Sequence, residues 1–351
     1  MDRIDARERV DPMAMDTTED IKKGLTETRE NLAHWVETTP EAKRYGQCCA
    51  GDDSCVSNRM EVIDESLQKI QDGTFGVCEI CHEAVDDALL RMDYTSTVCL
   101  GHFSEQELRQ LESELELSQV VQRGLLPQSA PRIPGLAVAA FSRPAQIVSG
   151  DYFDFVEFGD GDHGIVMADV SGHGVSAGML ISSLQTAFQT LAPTSSSPLN
   201  VLERINHLYA HNIKFTTFVT VFFGKFEPAT RKFRYANAGH TSAYLQRAAE
   251  NDVAMLHPTG PAIGLMEGFA VRSEEVQLNP GDTLVLYTDG ATEAMNDEGV
   301  QYGLDNLAPV IDSNRLLAPE QLIQRIVADI TAFTKGSQLA DDLTLIVARV
   351  I

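Results

Sequence analysis

Two neighbouring stretches, Ser149-Gly-Asp-Tyr-Phe-Asp-Phe155 and Ile165-Val-Met-Ala-Asp-Val-Ser-Gly-His-Gly174, decide how this chain is read. In the first, Asp151 precedes an aromatic run of Tyr152, Phe153, Phe155 and Phe158. In the second, Asp169 closes the apolar run Ile165 to Ala168 and meets a glycine-rich turn at once. Both patterns place a carboxylate at the edge of a strand. Such a carboxylate carries a large desolvation cost unless a cation sits beside it, and few lysines or arginines lie near in sequence. The arrangement repeats where Thr283-Leu-Val-Leu-Tyr-Thr288 ends in Asp289-Gly290, and where Asp341-Asp342 opens Leu343-Thr-Leu-Ile-Val-Ala348. A single Asp-Gly pair reads as an ordinary turn. Aspartates at four separate strand ends point instead to hard divalent cations, Mg²⁺ or Mn²⁺, which prefer oxygen ligands. Two such ions can activate a water and clamp a phosphoryl group, one route to phosphoester hydrolysis.

Five motifs follow in order: Val148-Ser-Gly-Asp-Tyr-Phe-Asp154, Ala168-Asp-Val-Ser-Gly-His-Gly174, Tyr235-Ala-Asn-Ala-Gly-His240, Tyr287-Thr-Asp-Gly-Ala-Thr-Glu293 and Asp341-Asp-Leu-Thr-Leu-Ile346. Together they resemble the bacterial SpoIIE/RsbU class of metal-dependent, type 2C-like serine/threonine phosphatases, from about Leu125 to the C-terminus. The resemblance implies an α+β fold, an αββα sandwich of two antiparallel sheets flanked by helices. Alternating strand and helix patterns between Leu136 and Val350 agree with that packing. It also implies that Asp151 bridges two Mn²⁺ or Mg²⁺ ions, with Asp169 and the Val170 carbonyl on one side and Asp289 and Asp341 on the other. Asp342 is then either a further ligand or a group that orients the ligands. Gly150, Gly172, Gly174 and Gly290 are read as sites where backbone approaches metal or substrate closely. His173 and His240 are read either as general acids or as structural hydrogen-bonding groups. No residue matches the arginine with which animal members hold the phosphate; Arg143 is merely the nearest in sequence, so phosphate capture falls mostly to the metals.

Before residue 125 the chain is of a different kind. Its six cysteines all fall before residue 100, as Cys48, Cys49, Cys55 and then Cys78, Cys81, Cys99. This grouping suggests metal or redox chemistry in the N-terminal part and not a disulfide scaffold. Cys78-Glu-Ile-Cys81, seventeen residues, then Cys99-Leu-Gly-His102 is the spacing of a zinc site with three thiolates and one imidazole. Apolar stripes at helical spacing (Ile21, Leu25, Leu32, Trp35; Val56, Met60, Ile63, Leu67, Ile70) predict an antiparallel helical hairpin before it. Hairpin plus Ile70-Gln-Asp-Gly-Thr-Phe-Gly-Val-Cys-Glu-Ile-Cys81 resembles the DksA/TraR zinc-finger family over residues 17–105, with His102 in place of a fourth cysteine. In that family acidic residues at the hairpin tip reach into RNA polymerase, and only Asp52 and Asp53 could correspond here. Cys48, Cys49 and Cys55 can be read as a metal site, a reversible disulfide or free surface thiols.

The domain reading is therefore a disordered leader (1–16), a helical hairpin with a small zinc finger (17–103), a helical linker (104–124) and a phosphatase domain (125–351). Ser104 and Glu107 predict a capping box at the start of the linker helix. Its stripe of Leu108, Leu111 and Leu115 reads as a solvated connector or as a short coiled coil that makes a homodimer. A net charge of −24 excludes non-specific nucleic-acid binding, which needs clustered basic residues. Neither a signal peptide nor a membrane-length apolar run is present, so the expected location is cytoplasmic. The leading expectation is a phosphoserine/phosphothreonine protein phosphatase gated by the zinc-binding module. By resemblance its substrate is a phosphorylated anti-sigma-factor antagonist. The competing expectation is an RNA-polymerase-binding regulator whose C-terminal domain is only a scaffold.

Overall fold

The computed structural model describes residues 54–86, 89–90, 95–171, 175–212, 218–248, 253–265, 270–337 and 339–351, with scattered residues of an earlier helical segment (18, 21–22, 25–26, 29–30 and 33). The leader, Cys48, Cys49, Asp52, Asp53 and the turn Gly172-His173-Gly174 lie outside the described residues. The chain divides into two compact units, Met1–Ser113 and Glu114–Ile351.

In the first unit, α1 (Ser54–Asp72) carries the predicted apolar stripe. Buried Leu25 and Ile63 pack with Ile21, Met60, Leu67 and Ile70, so the two helical stripes do meet. A second small cluster of Cys78, Val85 and Leu90 forms around the cysteines. The helix α2 (Glu105–Leu125) starts at the predicted capping box: the Ser104 N–H donates to Glu107 Oε2 at 2.8 Å, and the Glu107 N–H to Ser104 Oγ at 3.3 Å.

In the second unit, β1 (Leu136–Arg143), β2 (Asp151–Glu157), β3 (His163–Val170), β4 (Val219–Glu227), β5 (Lys232–Ala238), β6 (Ala243–Gln246), β7 (Val253–Leu256), β8 (Glu274–Gln277), β9 (Thr283–Tyr287) and β10 (Leu343–Val350) form two five-stranded sheets. Their orders are β1-β10-β9-β6-β7 and β2-β3-β4-β5-β8, antiparallel at every pairing. Helices α3 (Val175–Leu191) and α4 (Pro198–Asn212) cover the second sheet; α6 (Gly303–Ser313) and α7 (Pro319–Phe333), beyond the short α5 (Asp289–Thr292), cover the first.

Strand periodicity explains the four layers. Along β3, Ile165 and Met167 enter the core between the sheets, while Val166, Ala168 and Val170 turn to the helices α3 and α4. Along β10, Ile346, Ala348 and Val350 face the other sheet, and Leu343, Leu345 and Val347 face α6 and α7. Both faces being buried, each strand reads as a continuous apolar run that ends where the aspartates begin. A fully buried Leu, Ile or Phe side chain contributes roughly 1.5–3 kcal/mol, so these strand ends are held by a large apolar core.

The strand β7 and the helix α6 add to the alternation read from the sequence, and β8 pairs with β5 over Glu274–Gln277. The second compact unit begins at Glu114; within it Gln122 is buried and Leu126 packs on the core.

Candidate active site

Asp151 opens β2 and Asp169 nearly closes β3, and the register places them directly opposite one another. Two carboxylates facing across an antiparallel pair repel, and here one is almost fully buried at 3% exposure. Asp289 follows the end of β9 as the first residue of α5, and Asp341-Asp342 precede β10 beside it. Asp169, Asp289, Asp341 and Asp342 line one cavity of about 320 Å³, together with Val170, Ser171, Phe218, Thr220 and Gln146. The sequence thus placed its aspartates at four strand ends, and the two sheets bring those ends together at one edge of the sandwich.

Burial and mutual repulsion dominate the electrostatics. Burial, with the Asp169 charge next, pushes Asp151 well above the usual carboxylate range. Burial raises Asp169 to about 7, reinforced by Asp289, Asp341 and Asp342. Asp289 is raised too, by burial and then by Glu293. Among the described residues no lysine, arginine or histidine lines the cavity, Arg143 included. An all-oxygen set of crowded carboxylates without a cationic side chain matches the donor chemistry of a hard divalent ion, and the residues fit such an ion.

The polar frame behind the carboxylates was not foreseen. Thr288, fully buried, donates from Oγ1 to Asp151 Oδ2 at 2.7 Å, and accepts the Thr344 N–H at 3.1 Å. Asp342 Oδ1 accepts the Ala145 N–H at 2.6 Å; its Oδ2 accepts the Ser149 hydroxyl at 2.8 Å and the Gly150 N–H at 2.6 Å. Both Asp342 oxygens being engaged by the loop before β2, these bonds favour the orienting reading of Asp342, as the group that holds the Asp151 loop in place. Gln122 of α2 completes the frame, its Nε2 donating to the Ser149 carbonyl at 2.7 Å and its Oε1 accepting the Ser149 N–H at 2.9 Å. Gly290 serves packing more than metal approach, since a Cβ there would stand 2.1 Å from the Asp342 carbonyl oxygen.

His240 is buried at 3% exposure and does not line the cavity. Its backbone N–H donates to Asn237 Oδ1 at 2.8 Å, and its Nδ1 lies 2.8 Å from Thr220 Oγ1. Burial holds the imidazole at about 3, against the opposing pull of the Tyr287 backbone. Burial favours the neutral imidazole, a poor proton donor, and the ring lies off the cavity, so the placement favours the structural reading of His240 over the general-acid one.

In the first unit, one ligand atom from each of Cys78, Cys81, Cys99 and His102 lies within 4.8 Å of every other. The Cys99 N–H points to Cys78 Sγ at 3.5 Å, and Cys81 Sγ and Cys99 Sγ are 3.7 Å apart. Backbone N–H groups of Cys81, Cys99 and Ile80 outweigh burial and hold the Cys78 thiol down at about 6. Three sulfurs and one imidazole at that spacing fit tetrahedral Zn²⁺.

Comparison with known proteins gives concordant results. The family model for stage II sporulation protein E (SpoIIE) matches residues 159–351. The phosphoserine phosphatase RsbU of Bacillus subtilis (strain 168) is 29% identical over 272 residues, which cover 75% of this chain and 80% of RsbU. The phosphoserine phosphatase RsbP of the same organism is 26% identical over 184 residues, 51% of this chain and 45% of RsbP, so the chain spans under half of that relative. Among solved structures, the SiaA-PP2C domain of Pseudomonas aeruginosa superposes with a TM-score of 0.62 at 21% identity, covering 70% of this chain and 99% of that one. The RsbU and RsbW domains of Rv1364c from Mycobacterium tuberculosis give a TM-score of 0.52 at 27% identity, covering 64% and 63%. No helix among the described residues is long and apolar enough to cross a membrane.

Proposed function

This chain belongs to the SpoIIE family and is a serine/threonine protein phosphatase, and from that premise we propose that it hydrolyses phosphoserine or phosphothreonine with divalent cations held by Asp151, Asp169, Asp289, Asp341 and the Val170 carbonyl. The observation that carries this reading is the convergence of aspartates from separate strand ends at one cavity with no cationic side chain among its described lining residues. When bound, Mn²⁺ or Mg²⁺ would lower the pKa of water and neutralise charge on a phosphoryl group. The chain's own residues supply position. Thr288 fixes the Asp151 carboxylate, Asp342 and Gln122 fix the loop that leads into it, and Val170, Ser171 and Phe218 shape the cavity.

The relatives RsbU and RsbP are phosphoserine phosphatases by name. The substrate proposed here is accordingly a phosphorylated anti-sigma-factor antagonist in a partner-switching pathway. We further propose that Cys78, Cys81, Cys99 and His102 bind one Zn²⁺ and that the zinc-binding unit regulates the phosphatase, a reading supported by the ligand spacing. Leu117, Val120 and Val121 of α2 stand exposed at helical spacing, which supports dimerisation through that helix. Sedimentation as a monomer at micromolar concentration would remove the dimer.

The test of the central reading is release of phosphate from a phosphoserine peptide by the purified chain. Turnover is expected with Mn²⁺, loss with EDTA, recovery on adding Mn²⁺ back, and none for Asp169→Asn. A wild-type protein that turns over no phosphopeptide or small phosphoester with either cation overturns it.

A further inference from the structure

The motif Tyr235-Ala-Asn-Ala-Gly-His240 contributes no lining residue to the cavity, yet its histidine is buried immediately behind it. The left-handed backbone of Gly239 (φ +71°) turns the chain inward after β5, where a Cβ would meet the Ala262 backbone at 2.9 Å. His240 then lies between the two sheets at the edge that carries the aspartates.

On one side its Nδ1 is 2.8 Å from Thr220 Oγ1. Thr220 is the β4 partner of Asp169 in register, and the same hydroxyl lies 3.5 Å from the Asp169 carbonyl oxygen. On the other side the hydroxyl of neighbouring Thr241 donates to the Tyr287 carbonyl. Tyr287 ends β9, two residues before Asp289 and one before the Thr288 that holds Asp151. Among the described residues the buried imidazole Nε2 has no hydrogen-bond partner. A buried polar atom left so is costly and calls for an explanation.

We propose that His240 is a positioning residue, which by holding Thr220 on one sheet and, through neighbouring Thr241, the end of β9 on the other sets the separation of Asp169 from Asp289 and thereby the affinity for the divalent cation. The inference rests on the phosphatase reading. It assigns His240 no proton transfer and no contact with substrate. Partners that orient metal ligands typically change metal affinity by about 10–100-fold when removed.

The experiment measures Mn²⁺ binding directly, by electron paramagnetic resonance of free Mn²⁺ titrated with the full chain, alongside phosphopeptide turnover at each Mn²⁺ concentration. For His240→Ala the expected result is Mn²⁺ affinity weaker by about 10–100-fold, with kcat restored to within a fewfold at saturating Mn²⁺. His240→Asn, which keeps a polar atom near Thr220, should recover part of that affinity. Should His240→Ala fail to fold, Thr220→Val carries the test with the same expected loss. Unchanged Mn²⁺ affinity in a folded variant overturns the proposal, as does a kcat that stays low at saturating Mn²⁺ with affinity intact, which would mark a general acid. If the wild type itself binds no Mn²⁺, the metal-dependent phosphatase reading fails, a result distinct from either of these.

Discussion

The two clusters of candidate metal ligands are built in opposite ways. The sulfurs and imidazole of Cys78, Cys81, Cys99 and His102 come from one short stretch, beside buried Val85 and Leu90. The aspartates come from strands whose partners are up to nearly two hundred residues apart, and they sit at the rim of three large apolar clusters. The first cluster is local in sequence, and a cation joining its four ligands would contribute directly to the folding of that stretch. The second draws on strand ends far apart in the chain, and a polar frame aims its carboxylates. On the proposed reading the first ion would act on stability and the second ions on activity.

That contrast can be broken most sharply by removing one ligand from each cluster. Asp169→Asn should abolish phosphopeptide turnover by more than about 100-fold, beyond the effect of a residue that merely orients a ligand, while the far-ultraviolet circular dichroism stays native. Cys78→Ser should do the reverse: zinc measured by mass spectrometry falls to none and limited proteolysis cuts the first unit, while the isolated chemistry of the second persists. Loss of native circular dichroism in Asp169→Asn, or a proteolysis-resistant first unit without zinc, would erase the distinction. A smaller effect should come from Thr288→Val, which keeps the shape but removes the donor to Asp151 and costs about 1–3 kcal/mol in a chemical melt.

The smallest effect is one of pH. In the cation-free protein Asp169 is raised to about 7 by burial and its neighbours, against roughly 3.9 in an unfolded chain. The folded state therefore binds the proton more tightly, and stability present below about pH 4 is lost progressively as pH rises towards 7. Chelator-treated protein should melt a few degrees lower at pH 8 than at pH 6, and Mn²⁺ should restore more at pH 8. A melting temperature that rises over this interval would mean that the carboxylates do not face one another unscreened.

Much of this was written in the order of residues. Aspartates flanking apolar runs marked the strand ends, the Cys-x-x-Cys spacing marked the second cluster, and Ser104 with Glu107 marked the start of α2. Each of those signals is carried by neighbours in the chain. The frame was not legible because its partners are distant: Thr288 and Asp151 are 137 residues apart, Ser149 and Asp342 are 193. A threonine or serine gives no sign in sequence of which far carboxylate it will meet. The helix α6 was missed for a local reason, since Pro309 lies inside it and breaks the expected pattern. The strand β7 is only four residues long, too short for a period to show. Asp342 was ambiguous because only the fold reveals that three donors already occupy its oxygens.

The pairing of Gln122 with both backbone groups of Ser149 also dictates where this protein can be cut. A fragment beginning at Leu125 would keep every aspartate and every strand, yet leave the Ser149 N–H and C=O buried without partners one residue before Gly150. Each orphaned group costs about 1–3 kcal/mol, and the loss falls on the loop that delivers Asp151. A fragment beginning at Glu114 retains the glutamine and the end of α2 on which it rides. A weak phosphatase made from the shorter piece would thus report a missing side chain, and only the longer piece can say whether the first unit restrains the second.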